Sequence, residues 1–436
     1  MLKLKKVRFS EGERYVFLEE ENGMPHFYST LWNTVKLRPA NIQASTIENH
    51  LEHLKWFLEW EEREKRSLFS EFQQKQFLSH KDLEKIRHHM SLDISYQKAK
   101  IRLKKKVISL SGMPQIVDSE ATVSKHTQYN RLTSVAMYLT FLAEVATQRI
   151  STMDTVKAIE LMEKSLKRTR PRGRKGSTTD SRTTKGIPSE ILEEFIAVSR
   201  HDSDRNPFKN KAVRLRNDLM LRLMDETGIR VGEMLSLPIN TMTLSGIGPK
   251  SLFVIRNHDD VLDTRTDQPV VKTKERQLIL KEDTAKLINQ YIMNYRKKTL
   301  KAKMHPYLFV SHHGKTKGEP VSYSTFENTI IPTLRAVDRK FSVIYPYFFR
   351  HNYNDRLSDK IDKNNMLAEE GIEGYTYIPS AKEEKMRMHV MGHSDPKSAA
   401  PYTLRHVKKE ADRIQLQEQE TMQDILKQGL EVVKKG

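Results

Sequence analysis

Four separated stretches in the second half of the chain place cationic side chains beside histidines and tyrosines. They span residues 226–237, 271–276, 345–351 and 391–402. Guanidinium and ammonium groups pair with phosphate oxygens, and an imidazole or a phenol can move a proton beside them. Each stretch alone is an ordinary surface feature. Together they indicate a site that binds a phosphodiester.

Local sequence signals predict how two of these arginines are positioned. Gly228 ends one helix and Arg230 opens the next, so the Arg230 guanidinium should lie near unpaired backbone N–H groups that suit an anion. Pro346 starts another helix, on which Tyr347 and Arg350 share a face because they are three positions apart.

A small antiparallel sheet is predicted to carry a pair of lysines. Its three strands are expected at residues 252–256, 268–271 and 276–280. The connection between the last two strands contains Lys272 and Lys274, so we expect a hairpin tip that projects an ammonium group.

His389 and His393 have a spacing that suits a zinc ion on one helix face. Such a site needs at least a third ligand, and this type usually has a glutamate after the first histidine, where the chain has Val390. The absence of cysteine excludes thiolate zinc sites, disulfides and iron–sulfur clusters. We therefore expect no metal at the site.

The chain of 436 residues carries a large excess of positive charge. Its 75 Lys and Arg against 56 Asp and Glu give a net charge of +19. Such an excess requires a polyanionic partner, either nucleic acid or an anionic membrane surface. The N terminus lacks the apolar run of a signal peptide, and the most apolar stretch, 135–146, is too short to span a bilayer. We expect a soluble, intracellular protein that binds DNA and no membrane.

Composition along the chain predicts five segments. Short alternating runs in 1–40 indicate an N-terminal arm with short strands, and apolar residues at helical spacing indicate a small helical domain over 41–165. Residues 166–186 have the composition of a basic linker. A mostly helical region with the small sheet follows at 187–406, and 407–436 has the pattern of an amphipathic tail helix.

Basic side chains in the helical domain and the linker are candidates for contacts with DNA. They are Lys104, Lys105, Arg131, Arg168, Arg170, Arg172 and Arg174. A solvated tether is the commoner role of such a linker, but this one joins two folded segments of a basic chain. We therefore expect it to lie along DNA phosphates.

In order and spacing, the four stretches resemble the tyrosine recombinases, also called phage integrases. That family has Thr-Gly-x-Arg-x-x-Glu, a hairpin lysine, His-x-x-Arg, and a Gly-His pair nine residues before a nucleophilic tyrosine. The matching residues here are Arg230 with Glu233, Lys272, Tyr347 with Arg350 and His351, Gly392 with His393, and Tyr402. The resemblance covers about 187–406, and the helical domain at 41–165 resembles the family's core-binding domain.

The resemblance implies a mainly α, multidomain fold. A helical SAM-like core-binding domain would precede a mostly helical α+β catalytic domain with a small antiparallel sheet. It also implies that Arg230 and Arg350 bind the non-bridging oxygens of a phosphodiester while Tyr402 attacks phosphorus and forms a 3′-phosphotyrosyl intermediate. Because the ester bond is preserved in that intermediate, no cofactor, ATP or metal is needed.

The remaining candidates would support this step. Lys272 is the expected acid for the leaving 5′-hydroxyl, and Lys274 competes with it because the spacing to the following Lys-Glu-Arg differs by one residue from the family's. His393 would bind a phosphate oxygen or help to deprotonate Tyr402, and Glu233 would orient its neighbours. Tyr347 stands where the family usually has histidine, and the chain has an insertion around 359–384.

The expected function is site-specific recombination of double-stranded DNA, as in integration, excision or transposition of a mobile element. The resemblance implies a homotetramer on two paired DNA sites, with the tail helix as a candidate contact to a neighbouring protomer. A cytoplasmic, nucleoid-associated location follows from this role. Two other functions stay open, a type IB-like topoisomerase and a DNA-binding protein that keeps the fold without catalysis.

Overall fold

The computed structural model describes residues 2–40, 42–96, 121–171, 188–393, 395, 411, 414–419 and 422. The chain divides into two compact units, Met1–Phe9 with Arg14–Thr178 and Ser10–Glu13 with Thr179–Gly436. Helices dominate the described residues of both units, which confirms the mainly α, multidomain fold class. None of the described helices is long and apolar enough to cross a membrane.

Among the described residues of the first unit, a β-hairpin and six α-helices share one apolar core. Strands β1 (Lys3–Arg8) and β2 (Arg14–Glu19) pair antiparallel. The helices are α1 (Phe27–Trp32), α2 (Ala44–Arg63), α3 (Leu68–Gln73), α4 (His80–Ser91), α5 (Lys125–Thr147) and α6 (Met153–Arg168). Val16 and Trp32 are buried in the same cluster as Phe57 and Leu139. Strands β1 and β2 and helix α1 therefore belong to the helical unit, and the described residues of 1–40 do not form the separate arm that the sequence predicts.

The predicted linker and tail fall largely outside the described residues. Helix α6 ends at Arg168, so residues 166–168 of the predicted linker are helical. The structure describes this segment only as far as residue 171. Of the predicted tail helix it describes residues 411, 414–419 and 422, which are helical.

Buried and half-buried histidines connect the helices of the first unit. The His89 ring stacks on Trp56 with centroids 4.2 Å apart, and its Nε2 lies 2.9 Å from the Trp56 carbonyl oxygen. His53 bonds through Nδ1 to Ser134 Oγ at 2.9 Å. Burial is the main cause that lowers the pKa of both His53 and His89 to about 4. Both rings are therefore neutral at pH 7.

The second unit packs its helices around a three-stranded sheet. Strands β3 (Met242–Thr243), β4 (Lys250–Val254) and β5 (Arg276–Leu280) are antiparallel, with β4 in the centre. The helices are α7 (Ser189–Ser199), α8 (Lys211–Thr227), α9 (Val231–Leu235), α10 (Glu282–Asn294), α11 (Tyr323–Thr325), α12 (Ile331–Arg335), α13 (Tyr347–Glu369) and α14 (Ser380–Met391). Leu219 of α8, Leu252 of β4 and Ile288 of α10 are buried together in its core.

The sheet differs from the predicted one in a single strand. Residues 268–271 are not a strand, and Met242–Thr243 pairs with β4 instead. Pro269 has no N–H to give to a ladder, and its carbonyl accepts a 2.6 Å hydrogen bond from Ser236 Oγ. The N–H of Val271 bonds to the side chain of Asn257 at 3.2 Å. The connection between β4 and β5 is therefore an irregular loop bonded to the end of α9.

Helix α14 ends in close contact with the residues that precede β5. Gly392, its C-cap, has a φ of +65°, a left-handed conformation that favours glycine. The Gly392 carbonyl accepts a 3.0 Å hydrogen bond from the N–H of Lys274. A Cβ at position 392 would lie 2.8 Å from Thr273 Cβ and 3.0 Å from the Lys274 carbonyl oxygen. The close approach of these two backbones therefore requires glycine.

We expect Gly392→Ala to destabilise the second unit more than Gly371→Ala does. Gly371 also follows a helix and has a φ of +74°, but a Cβ there meets nothing within 4 Å. Alanine at 371 should therefore cost only the backbone strain, about 1 kcal/mol. Alanine at 392 adds a clash with backbone, and we expect a total of roughly 3 kcal/mol. Thermal and urea unfolding measure the difference, and equal losses would contradict the steric explanation.

We expect the first unit to lose stability as the pH falls from 6.5 towards 4. In the unfolded chain histidine takes up a proton near pH 6.5, whereas folded His53 and His89 do so only at about 4. The unfolded state binds more protons in this window, so the free energy of unfolding decreases as the pH falls through it. Above pH 6.5 these two histidines do not change the free energy of unfolding. The unfolding temperature of His89→Gln should depend less on pH than that of the exposed-site control His80→Gln. Equal pH dependences of the two variants would contradict the assignment of this stability change to His89.

Candidate active site

Arg230 lies at the turn between helices α8 and α9, and the helix break there is the one that the sequence predicts. Helix α8 ends at Thr227, and Gly228 follows with a φ of +63°. Arg230 is the N-cap of α9, and its backbone N–H donates to a carboxylate oxygen of Glu233 at 3.2 Å. The guanidinium lies 3.3 Å from the other carboxylate oxygen. The Arg230 side chain remains 39% exposed, so a ligand from solvent can reach it.

Glu233 is a buried carboxylate that joins three segments of the unit. It accepts hydrogen bonds from Thr273 Oγ1 and from Arg276 Nη2, each at 2.7 Å. Arg276 in turn donates through Nε to the Val390 carbonyl of helix α14 at 2.7 Å. Burial opposes ionisation, but the charge and the hydrogen bond of Arg276 outweigh it and lower the pKa of Glu233. The ionised carboxylate thus fixes the start of α9, the residues before β5 and the end of α14 together.

Arg350 reaches the same place from the first turn of helix α13. Its Nη1 donates to the Gly228 carbonyl at 2.8 Å, and its Nη2 donates to the Met391 carbonyl at 3.0 Å. The Met391 carbonyl oxygen also lies 3.5 Å from Nη1 of Arg230. Two guanidinium groups that are far apart in sequence therefore meet at one carbonyl oxygen.

His393 completes this group of side chains, and its surroundings fix the position of its proton. Arg350 can only donate, so Nε2 of His393 accepts the 3.0 Å hydrogen bond between them and the neutral ring is protonated on Nδ1. Burial, followed by the charges of Arg350 and Arg230, lowers the pKa of His393 to about 4. Nδ1 is buried and has no hydrogen-bond partner among the described residues. It is therefore an N–H donor available to a further group. We call Arg230, Arg350 and His393 the arginine–histidine cluster.

The arginine–histidine cluster has the donors that a tetrahedral oxyanion needs. Two adjacent guanidinium groups repel each other, and an anion placed between them removes that repulsion. Guanidinium forks and an imidazole N–H are the donors that phosphate oxygens accept in proteins. Arg276 adds a third cation next to the single carboxylate of Glu233, so positive charge dominates this part of the described structure.

The irregular segment before β5 carries both candidate lysines, and the predicted hairpin tip is wrong. Lys272 and Lys274 are exposed on either side of Thr273, whose side chain bonds Glu233. Within the described residues neither ammonium group makes a hydrogen bond or an ion pair. The backbone bond from Lys274 to Gly392 places the segment next to His393. Both lysines therefore stay candidates.

Tyr347 begins helix α13 after Pro346, as predicted, but it shares no hydrogen bond with the cluster. Its side chain is 56% exposed. Its ring lies 4.2 Å from the Phe348 ring and meets the His351 ring edge-on at 5.5 Å. Among the described residues its hydroxyl makes no hydrogen bond. His351 thus packs against Tyr347 at the surface, one residue beyond Arg350.

Sequence reasoning does not single out Thr273 and Arg276, although both bond Glu233. The available signal is the alternation of strand β5, in which Arg276 shares the buried face with Leu278 and Leu280. A charged side chain on the inner face of a strand needs a buried partner of opposite charge. Glu233 is that partner.

Arg131 has a different role from the one expected. It is buried, and its guanidinium donates to the carbonyls of Met90 at 3.2 Å and Leu92 at 2.7 Å. The last carbonyls of a helix have no partner within it, and these bonds give the carbonyls at the end of helix α4 a hydrogen-bond donor. This corrects the expectation that Arg131 contacts DNA.

The other basic candidates are only partly described. Arg168 is exposed at the end of α6. The guanidinium carbon of Arg170 lies 4.7 Å from the centre of the Tyr129 ring, and its Nη1 donates to Thr133 Oγ1 at 3.3 Å. Outside the described residues lie Lys104, Lys105, Arg172, Arg174 and Tyr402.

The structure gives His389 and His393 different surroundings. His389 is exposed, whereas His393 is buried and bonded to Arg350. The described residues contain no group of three or more His, Cys, Asp or Glu side chains that could hold a metal ion.

Comparison with known proteins identifies a matching family and several relatives. Residues 204–362 match the phage integrase family. The tyrosine recombinase XerD of Halalkalibacterium halodurans is 27% identical over 177 residues, which is 40% of this chain and 50% of XerD. The chain thus matches about half the length of that curated relative.

Two solved structures of the XerH site-specific recombinase show a more distant likeness. The post-cleavage complex with a palindromic difH substrate has a TM-score of 0.39 and 14% identity, covering 66% of this chain and 78% of XerH. The pre-cleavage complex with difH has a TM-score of 0.36 and 14% identity, covering 75% and 82%. Arg230, Lys272 and Arg350 lie within the range 204–362 that matches the phage integrase family. Over residues 204–362 the chain is therefore similar to the phage integrase, or tyrosine recombinase, family.

Proposed function

We propose that this protein is a site-specific DNA recombinase that cleaves and rejoins strands through a covalent 3′-phosphotyrosyl intermediate. The observation that supports this most directly is the meeting of Arg230 and Arg350 at the Met391 carbonyl. Beside it lies the Nδ1–H of His393, which has no hydrogen-bond partner in the part of the chain that the structure describes. Charge builds up on the non-bridging oxygens of a phosphodiester as a nucleophile attacks phosphorus. The two guanidinium groups would stabilise that charge.

Tyr402 is the proposed nucleophile because it stands nine residues after His393, at the family's spacing. Its phenolic oxygen would form a bond to phosphorus while the bond from phosphorus to the 5′-oxygen breaks. One proton leaves the phenol, and one is taken up by the departing 5′-oxygen. The intermediate keeps a phosphodiester, so the 5′-hydroxyl of another strand can reverse the step without an external energy source.

His393 would donate a hydrogen bond rather than act as a base. Its Nε2 already accepts from Arg350, and its low pKa of about 4 keeps the ring neutral at pH 7. The proton on Nδ1 is therefore the group that can bind a phosphate oxygen. This favours one of the two roles that the sequence left open for His393.

Lys272 is the proposed acid for the departing 5′-oxygen, with Lys274 as its competitor. Both ammonium groups are exposed, and the segment that carries them is bonded to Glu233 and Gly392. The Tyr347 hydroxyl would bind a phosphate oxygen from the first turn of α13, where it too is exposed. His351 would support the Tyr347 ring through their edge-on contact.

The proposed partner is double-stranded DNA, and the proposed assembly is a homotetramer on two paired sites. The net charge of +19 supports a polyanionic partner, and the relatives in the solved structures are recombinases bound to DNA substrates. The exposed Arg168 and the linker beyond it would follow the DNA backbone, and the tail helix would contact a neighbouring protomer. Integration, excision or transposition of a mobile element, in the cytoplasm at the nucleoid, is the role that we propose.

We expect Tyr402→Phe to abolish covalent attachment to DNA and to leave DNA affinity within about twofold, because the change removes one hydroxyl and no positive charge. A nicked suicide substrate traps the adduct, which denaturing gels detect. Tyr377→Phe is the matched control, since Tyr377 is an exposed tyrosine of the same unit, and it should keep the adduct. An adduct formed by Tyr402→Phe would place the nucleophile elsewhere, with Tyr375 and Tyr377 the next to test.

We expect Lys272→Ala to cleave a normal phosphodiester about 10²–10⁴-fold more slowly and to recover on a substrate with a bridging 5′-sulfur. A thiolate departs without a proton, so loss of the acid no longer matters. Lys274→Ala is the matched control and should show weaker DNA binding without sulfur rescue. Rescue of Lys274→Ala alone would make Lys274 the acid, and rescue of neither would contradict both assignments.

A product assay with two DNA sites completes the test of the proposed function. A recombinase should yield exchanged strands from paired sites, whereas a topoisomerase should relax a supercoiled plasmid that lacks them. Covalent attachment followed only by relaxation would contradict recombination, and binding without any adduct would contradict catalysis altogether.

A further inference from the structure

Helix α14 is held against helix α13 mainly by polar contacts. Its buried residues are Glu383, Arg387 and Met391, spaced four apart along one face. A helix on the surface of a domain usually buries an apolar stripe at these positions. Here the inner face consists of an ion pair and a methionine, so the docking of α14 depends on directional hydrogen bonds.

The Arg387 guanidinium is fully buried and bonds side chains on both helices. Its Nε and Nη2 donate to Glu383 Oε1 at 2.8 and 2.6 Å. Its Nη1 donates to the carbonyl and side-chain oxygens of Asn354 at 3.2 and 3.1 Å, and its Nη2 donates to Ser358 Oγ at 2.5 Å. Asn354 and Ser358 belong to α13, so one planar group fixes the two helices in a single arrangement.

This contact lies one helical turn from the arginine–histidine cluster on both helices. Asn354 follows Arg350 by four residues, and its Nδ2 donates to the Arg350 carbonyl at 2.9 Å. Met391 follows Arg387 by four residues, and its carbonyl accepts the bond from Arg350. Residues four apart lie on the same face of a helix. The Arg387–Asn354 and Met391–Arg350 contacts are therefore consecutive links between the same two helices.

Stability alone does not account for this arrangement. Removing two charges from water is expensive, and apolar residues of similar volume hold helices together as well or better. Unlike an apolar contact, a guanidinium has hydrogen-bond donors in fixed directions, so it permits only one alignment of the two helices along their axes. A shift of α14 by one turn would move its end by about 5.4 Å and separate His393 from Arg350.

We propose that Arg387 and Asn354 are positioning residues, which fix the register of α14 on α13 and so hold His393 against Arg350. The effect on the geometry of His393 is independent of the proposed function, whereas the effect on DNA cleavage rests on it. Glu383 supports Arg387 from within the insertion around 359–384, so the inserted residues contribute to the active site.

The first experiment follows the titration of His393 by NMR in protein labelled with ¹³C-histidine. In the parent protein His393 should titrate at about 4. Arg387→Lys keeps the charge beside Glu383 but cannot reach Asn354 and Ser358 together. We expect it to raise the His393 midpoint by about one pH unit, because the ring leaves Arg350 and meets water. An unchanged midpoint would overturn the proposal.

Two further variants control this measurement. Arg216→Lys alters an equally buried arginine of the same unit that bonds Asn217 and Val310, and it should leave the His393 titration unchanged. If Arg387→Lys does not fold, the double variant Glu383→Leu/Arg387→Met removes both buried charges at similar volume and should remain folded. It should shift the His393 midpoint in the same direction. A normal midpoint in the folded double variant would overturn the proposal.

The second experiment measures single-turnover cleavage of the nicked substrate well below the unfolding temperature. Arg387→Lys and the double variant should cleave at least about tenfold more slowly than the parent, with unchanged DNA affinity. Parent-like cleavage by both would overturn the positioning role in catalysis. A parent protein that forms no adduct would instead refute the proposed function, and the NMR titration would still decide the positioning of His393.

Discussion

The ion pair between Glu233 and Arg276 is the interaction on which the rest of the site depends. Two buried charges lose their hydration, and only close pairing with further hydrogen bonds compensates for that loss. Thr273 and Val390 supply such bonds, and each belongs to a different segment. The requirement to satisfy one buried carboxylate and its partner therefore brings together chain segments that are far apart in sequence. This ion pair therefore positions Arg230, the residues from Lys272 to Lys274 and the end of α14.

The ends of two helices explain how Arg350 is held without loss of positive charge at the site. The carbonyls of Gly228 and Met391, which accept its bonds, lie at the C-terminal ends of α8 and α14. The last carbonyls of a helix have no partner within it and carry partial negative charge. They orient a guanidinium without neutralising it as a carboxylate would. Full positive charge thus stays available to an anion.

The sequence predicts a structural feature well when the feature depends on the backbone of a single residue. Gly228 breaks a helix and Pro346 starts one, and each does so through its own backbone, so Arg230 and Arg350 were placed on the correct elements. The strand expected at 268–271 was wrong, because Pro269 and a hydrogen bond from Ser236 favour an irregular loop. Whether that loop bends back to α9 depends on residues far from it in sequence.

Partners that are distant in sequence account for the other differences. Arg131 is a candidate for DNA contact as a basic residue of the helical domain, but it is buried and bonds two carbonyls at the end of α4. The alternation of strand β5 marks Arg276 as buried, but no local pattern identifies Glu233 as its partner or Asn354 as the partner of Arg387, because these partners lie on other elements. The fold class, the helix breaks and the order of the cluster residues were therefore predictable, whereas the buried polar contacts that orient them were not.

The polar inner face of helix α14 has a thermodynamic consequence for its motion. Separation of a helix from its domain changes the heat capacity mainly through newly exposed apolar surface. Helix α14 buries Met391 beside two charged residues, so its separation exposes little such surface. Its local opening should therefore have a small heat-capacity change, and the population of the open form should vary almost monotonically with temperature. The apolar core of the unit, by contrast, has a stability maximum and weakens on both sides of it.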